Sequence, residues 1–203
     1  MADYTIENQL ISEGFKLIAG VDEAGRGPLA GPVFAAAVIL PPGLENSGIN
    51  DSKKLSEKKR EELFDFIIAN AVAYSIQSVD EKIIDEINIL EATMTAMRNA
   101  VTKLSVQPDF VLIDGNKAPQ TGIPELTVVK GDSTSLSIAA ASILAKVSRD
   151  RYLLELDKKY PEYKFAQHKG YGTKLHYEML DKYGISPVHR MSFLKKYLAG
   201  TRN

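Results

Sequence analysis

Two apolar runs, residues 17–21 (LIAGV) and 33–40 (VFAAAVIL), lie so close together that no helix fits in the 25–32 connection between them. Parallel strands need a crossover of a dozen or more residues, so these runs are predicted to form an antiparallel hairpin. The first run leads into Asp22 and Glu23, and Gly25, Arg26, Gly27 and Pro28 follow almost at once. Acids at the end of a strand-like run are poorly placed for packing and well placed for a metal or a proton. Glycines on both sides of Arg26 let the backbone approach a ligand and adopt positive φ. The guanidinium between them offers several donors to a phosphate or carboxylate. The stretch points to an anionic substrate and a metal.

Beyond the hairpin, Ser56 is a good N-cap for a charged helix through Asn70 with Leu63, Phe64, Ile67 and Ile68 on its apolar stripe. Residues 73–79 read as a third strand. A short helix over 80–87 and a longer one over 90–104 follow, the latter placing Leu90, Met94, Met97, Val101 and Leu104 at helical spacing. Those methionines read as core. Residues 110–113 form a buried-type strand ending at Asp114 and Gly115, and 126–129 a fifth strand ending at Gly131 and Asp132. Ser133 is the expected cap of a long alanine-rich helix to about Lys159, whose small residues suit close packing. Further helices are expected over 174–183 and near 192–198. An antiparallel meander leading into helix-connected strands predicts an α/β fold: a mixed five-stranded sheet flanked by helices, of ribonuclease H-like rather than all-parallel doubly wound type. The expected division is a core over 1–160 and a small helical extension over 161–203 packed on it.

The chain of 203 residues has no cysteine, which removes disulfides and thiolate ligands and favours oxygen donors for any metal. Residues 1–14 hold no apolar core of signal-peptide length, and no run approaches membrane-spanning length, so a cytoplasmic protein without membrane contact is expected, with monomer as the default. The net charge of −1 hides an asymmetry. Residues 1–145 carry 12 Lys and Arg against 20 Asp and Glu, whereas residues 146–203 carry 13 against 6. A basic quarter beside an acidic body suggests a polyanion gripped by one region and processed by the other, although a solvated basic helix surface gives the same count. No GxxxxGK[ST] loop and no GxGxxG opening a helix occur, which argues against a P-loop nucleotidase and a dinucleotide-dependent oxidoreductase.

Asp22 with Glu23, Asp114, and Asp132 each follow an apolar run. A single Asp–Gly pair usually marks a turn; repeated placement at strand ends, where α/β sheets bind ligands, is what points to chemistry. If the first, fourth and fifth strands lie side by side, four carboxylates converge, and like charges that close need a counter-ion. Hard oxygen ligands with no neighbouring His suit Mg²⁺ or Mn²⁺ rather than zinc. Adjacent strand residues point to opposite faces, so Asp22 and Glu23 are both expected in the site only if the strand bends or ends between them. His168, His176 and His189 read as surface or packing residues. Tyr171, between glycines in a basic loop, suits stacking on a sugar or base.

The motifs DEAGRGPLAGPV at 22–33, DSKKLS at 51–56, LIDGN at 112–116, KGD at 130–132, SIAAASILAKVSRD at 137–150, HKGYGT at 168–173 and PVHRMSF at 187–193 together resemble bacterial ribonuclease HII, in the family's order across residues 17–193. The resemblance implies a metal-dependent endonuclease acting on RNA–DNA hybrids and on duplex DNA with embedded ribonucleotides, in ribonucleotide or primer removal. It implies that Asp22, Glu23, Asp114 and Asp132 hold two divalent cations, Mn²⁺ or Mg²⁺. It further implies that Gly25, Arg26 and Gly27 sense the ribose 2′-hydroxyl, the group that separates RNA from DNA. Tyr171 would pack on the neighbouring deoxyribose, and Lys53, Lys54 and Lys146 would contact phosphates. A DNA nuclease indifferent to the 2′-hydroxyl, and a non-catalytic nucleic-acid binder with a structural metal, are the rival readings.

Overall fold

A computed structural model of the chain describes residues 2–44 and 48–200; Met1, residues 45–47 of the polar loop and the last three residues of the expected C-terminal extension lie outside the described residues. The chain opens with helix α1 (Thr5–Ser12), which the sequence pattern did not signal, and enters β1 (Ile18–Ala24) and β2 (Val33–Ile39). Then come α2 (Glu57–Asn70), β3 (Ala73–Val79), α3 (Glu81–Thr102), β4 (Phe110–Asp114) and β5 (Glu125–Val128). The last part holds α4 (Leu136–Lys159), α5 (Phe165–His168), α6 (Lys174–Tyr183) and α7 (Lys195–Leu198).

The five strands form one sheet in the order β3–β2–β1–β4–β5. β1 and β2 are the expected antiparallel hairpin, β2 and β3 continue it, and β1–β4 and β4–β5 are parallel. The first, fourth and fifth strands are therefore neighbours. β4 and β5 are joined by a loop instead of a helix, because Gly115, Pro119, Gly122 and Pro124 break any helix there.

Both faces of the sheet are covered, which is why β2 is apolar throughout. Ala35, Ala37 and Ile39 pack with Ala19, Val21, Val111 and Ile113 against Ala92, Ala96, Met97 and Ala100 of α3. On the other face, Ala36 and Val38 meet Leu63 and Ile67 of α2 and Ala139, Ala140 and Ile143 of α4. α4 lies directly on β1: a Cβ added to Gly20 would stand 2.1 Å from the backbone carbon of Ser137. The two helices expected over 80–87 and 90–104 are the two arms of α3, which meet at a kink at non-helical Asn88 (φ 70°), whose side chain accepts from the N–H groups of Leu90 and Glu91. After α4, the chain folds back so that Tyr163, Phe165, Leu180, Val188 and Leu194 pack on Leu153 and Leu156 and on Leu29 and Ala30 of the β1–β2 connection. No described helix is long and apolar enough to cross a membrane.

Candidate active site

β1 pairs with β4 only as far as Val21 opposite Ile113, while its pairing with β2 continues through Ala24. The strand therefore neither bends nor ends between Asp22 and Glu23, contrary to the condition set from sequence. Asp22 points to the α4 side, where Ser142 bonds its carboxylate and is itself 2.8 Å from Ser52 Oγ. Glu23 points to the α3 side and lines a cavity of about 320 Å³ with Met94, Met97, Asp114 and Asn116. Both acids remain close to Asp114, because β4 ends beside them where the β1–β4 ladder stops.

Asp114 Oδ1 accepts from the Gly131 N–H at 2.7 Å. A Cβ on Gly131 would stand 2.5 Å from Ile138 Cδ1 and 3.3 Å from that carboxylate oxygen, so a side chain there would have to push the Ile138 side chain aside. Asp132 lies one residue later, in a 3₁₀ turn (Gly131–Ser133) entered through left-handed Lys130 rather than on the strand end itself. α4 starts after this turn, capped by Ser135, which accepts from the Ile138 N–H, and not by Ser133. The cap is held in turn by buried Glu7 of α1, which accepts from Ser135 Oγ and the Ser137 N–H.

Crowding is visible in the protonation preferences. Burial, then the charges of Glu23 and Asp114, push the Asp22 carboxyl well above its usual range. Burial and Asp114 raise Glu23 against the opposing pull of Arg26, whose guanidinium is 3.5 Å away. Burial and Asp132 raise Asp114. One ammonium answers them: Lys53 Nζ lies 3.3 Å from Asp132 Oδ2 and, despite partial burial, is held above its ordinary value by Asp132, Asp22 and Asp51.

This donor set suits a hard divalent cation in type, being all carboxylate, mutually repelling and partly desolvated. Among the described residues, no three His, Asp or Glu side chains already converge on one cation position. Each acid instead has a protein partner: Glu23 N–H for Asp22, Arg26 for Glu23, Gly131 N–H for Asp114 and Lys53 for Asp132. Side-chain rotation away from these partners is what cation binding would require.

The remaining candidates divide. Gly27 and Tyr171 are neighbours, since a Cβ on Gly27 would lie 3.7 Å from the tyrosine ring. Gly25 has φ +97°, and a Cβ there would stand 2.1 Å from Arg149 Nε. Lys53 joins the acids, but Lys54 pairs with Asp51 at 3.5 Å and Lys146 with Asp150 at 2.7 Å. The three histidines are buried together. Arg149 and Arg190, both essentially inaccessible, line the underside of the Gly25–Pro32 loop and were not singled out from sequence. One signal for them was available: Arg149 stands on the same helical stripe as Ala145, Leu153 and Leu156, where an unpaired charge has no reason to be unless it is bonded.

Comparison with known proteins gives the family and the fold. A family model described as Ribonuclease HII matches residues 19–196. The ribonuclease HII of Caldicellulosiruptor bescii is 58% identical over 97% of this chain and 95% of its own length. The crystal structure of the ribonuclease H2 from Pyrococcus horikoshii OT3 superposes with a TM-score of 0.77 at 28% identity, covering 93% of this chain and all of that one. A structure of Bst-RNase HIII in complex with Mn²⁺ shares the fold, with a TM-score of 0.71 at 17% identity, over 92% of this chain and 70% of that one. The chain belongs to the ribonuclease HII family.

Proposed function

We propose that the chain is a divalent-metal-dependent endonuclease that hydrolyses the RNA strand of RNA–DNA hybrids. On this reading it also cuts 5′ of single ribonucleotides in duplex DNA, leaving 3′-hydroxyl and 5′-phosphate ends. Asp22, Glu23, Asp114 and Asp132 are the proposed ligands of two cations, Mn²⁺ or Mg²⁺. The observation that carries the reading is geometric: buried Asp22 gathers with Glu23 and Asp114 where the β1–β4 ladder stops, Asp132 sits in the turn that bonds Asp114, and exposed Arg26 and Gly27 follow on the same connection. Cations bound there would supply Lewis-acid charge for activating water and for stabilising the departing 3′-oxygen.

The chain's own residues supply recognition. Arg26 and Gly27, both exposed, are the proposed backbone contacts to the ribose, and Tyr171, 44% exposed beside Gly27, is the residue proposed to pack on the next sugar. Lys53 is the proposed phosphate contact nearest the acids; Lys54 and Lys146 would have to exchange Asp51 and Asp150 for a phosphate.

The test uses three labelled duplexes: all-DNA, DNA with one ribonucleotide, and RNA–DNA hybrid, each with Mg²⁺, Mn²⁺ or EDTA. The expected result is a metal-dependent cut 5′ of the lone ribonucleotide and in the hybrid, with all-DNA intact. Cutting of all-DNA duplex would make the chain a general DNA nuclease. Binding without cleavage in either metal would leave the acids a structural role.

A further inference from the structure

Two buried arginines hold the underside of the proposed sugar-sensing turn by main-chain hydrogen bonds, the nearby charges of Glu81 and Asp85 on Arg190 and of Asp150 on Arg149 standing beyond ion-pair distance. Arg190 donates from NH2 to Gly25 O at 2.7 Å, from NH1 to Arg26 O at 3.0 Å and from Nε to Gly31 O at 2.9 Å. Arg149, from α4, donates to Pro32 O at 3.3 Å, Ala30 O at 3.3 Å and Lys169 O at 3.0 Å. They are the two largest side chains among those fully buried in the described residues. No described acid lies within ion-pair distance of either guanidinium. Burying a charge this deep is costly unless all of its donors are used. Here they are spent on main-chain oxygens.

The consequence follows from the planarity of the peptide bond. In a trans peptide the carbonyl of one residue and the N–H of the next point in opposite directions. Drawing the carbonyls of Gly25 and Arg26 inward onto one guanidinium turns the N–H groups of Arg26 and Gly27 outward. Among the described residues neither of these N–H groups has a protein acceptor, and both residues are exposed. Two consecutive unpaired donors thus stand beside the Tyr171 ring and within one turn of Glu23.

We propose that Arg190 and Arg149 are positioning residues for sugar discrimination. Their guanidiniums fix the peptide planes of residues 25–27 so that the Arg26 and Gly27 N–H groups meet a ribose 2′-hydroxyl oxygen. This rests on the reading of the turn as the ribose sensor and adds the device that orients it. Arg149 also links the turn to Tyr171: it bonds Lys169 O, and its guanidinium carbon lies 5.9 Å from the Tyr171 ring centre. Gly170 O takes the Leu29 N–H at 2.8 Å, closing the connection from the other side. Lysine at position 190 keeps the charge but offers one nitrogen where three are needed in a fixed fork.

The test is the affinity ratio between duplex DNA with one ribonucleotide and the same duplex in all-deoxy form. It is measured in EDTA, where a metal-dependent enzyme leaves both intact, for the wild type and Arg190→Lys. Two N–H contacts to one hydroxyl predict a wild-type preference of about tenfold for the ribonucleotide. In Arg190→Lys this ratio falls close to one, because affinity is lost for the ribonucleotide duplex beyond any loss shared with the all-deoxy duplex. A merely structural role would weaken both duplexes together and leave the ratio intact, which overturns the proposal. If the wild type itself shows no preference, the sensor reading of the turn fails first, and the two failures are thereby told apart. Arg149→Lys, which leaves the three Arg190 bonds in place, is the second variant should Arg190→Lys not fold, with a partial loss of the ratio expected and an unchanged ratio counting against the proposal.

Discussion

At the residue scale, the acidic end of the sheet is a site whose function opposes its stability. Asp22 is 3% exposed, and its carboxyl is displaced upward by burial and by two neighbouring acids. A carboxyl with a raised folded-state pKa costs nothing at low pH and destabilises as pH rises through that value. Asparagine at this position keeps an oxygen to accept from the Glu23 N–H and Ser142 and removes the charge. Asp22→Asn is therefore expected to abolish cleavage and, in EDTA at pH 8, to raise stability by on the order of 1 kcal/mol, a gain that shrinks towards pH 5. Thermal unfolding of both proteins at the two pH values checks this, and a variant that melts below the wild type at pH 8 would contradict the repulsion argument. The acids were legible because each follows an apolar run. The arginines beneath the turn were not, because main-chain carbonyls leave no mark in a sequence, and six of them are what Arg149 and Arg190 bind.

At the scale of elements, the site depends on how closely α4 lies on β1. The contact is made possible by Gly20 opposite the first turn of the helix. Gly20→Ala would place a methyl 2.1 Å from the carbon and 2.4 Å from the oxygen of Ser137, both backbone, so the helix itself has to move. Overpacking of this kind costs roughly 1–3 kcal/mol, and a shift of α4 displaces Ser142 from Asp22. The expected outcome is a lower urea midpoint together with reduced cleavage at saturating metal; an unchanged midpoint would mean that the helix yields freely. Strand positions and the cap at Ser56 were readable because periodicity and capping chemistry are local. The end of β1 was not: pairing to β2 extends the strand three residues past the apolar run, and that partner lies elsewhere in the chain. Helix α1 lacks a side-chain N-cap bond and is held by tertiary contacts, Leu10 packing beside Ile18, Leu112 and Ile138. The cap of α4 moved from Ser133 to Ser135 because residues 131–133 form their own turn, which carries Asp132.

At the scale of the whole molecule, the 163–194 segment supports Tyr171 through a hydrogen-bonded imidazole chain. His176 Nδ1 lies 3.0 Å from Tyr171 O, an acceptor only, so this nitrogen carries the proton. His176 Nε2 must then accept from His189 Nε2 at 2.9 Å, and His189 Nδ1 accepts from Ser186 N–H at 3.0 Å. His168 stacks on His176 with ring centres 4.2 Å apart and bonds Tyr163 O at 2.8 Å. Every ring nitrogen has a role that only neutral imidazoles fill. Burial is the main reason that His176 and His189 are each pulled down to about 4. Between that value and the unfolded value near 6.5, the unfolded chain binds protons that the folded chain refuses, so the stability of this segment falls as pH drops. The first proton alone is worth on the order of 3 kcal/mol across that window. The carboxyls at the sheet end shift the other way and gain from acid, so the two halves of the site respond to pH with opposite sign. Acidification should therefore open the 163–194 segment and free Tyr171 while β1, β2 and β3 stay closed, a local rather than global transition. Hydrogen exchange at pH 4.5 and pH 7 distinguishes the cases. Protection lost in residues 163–194 ahead of the strands supports the imidazole chain as the support of Tyr171; simultaneous loss everywhere would mean that the sheet and this segment unfold as one unit.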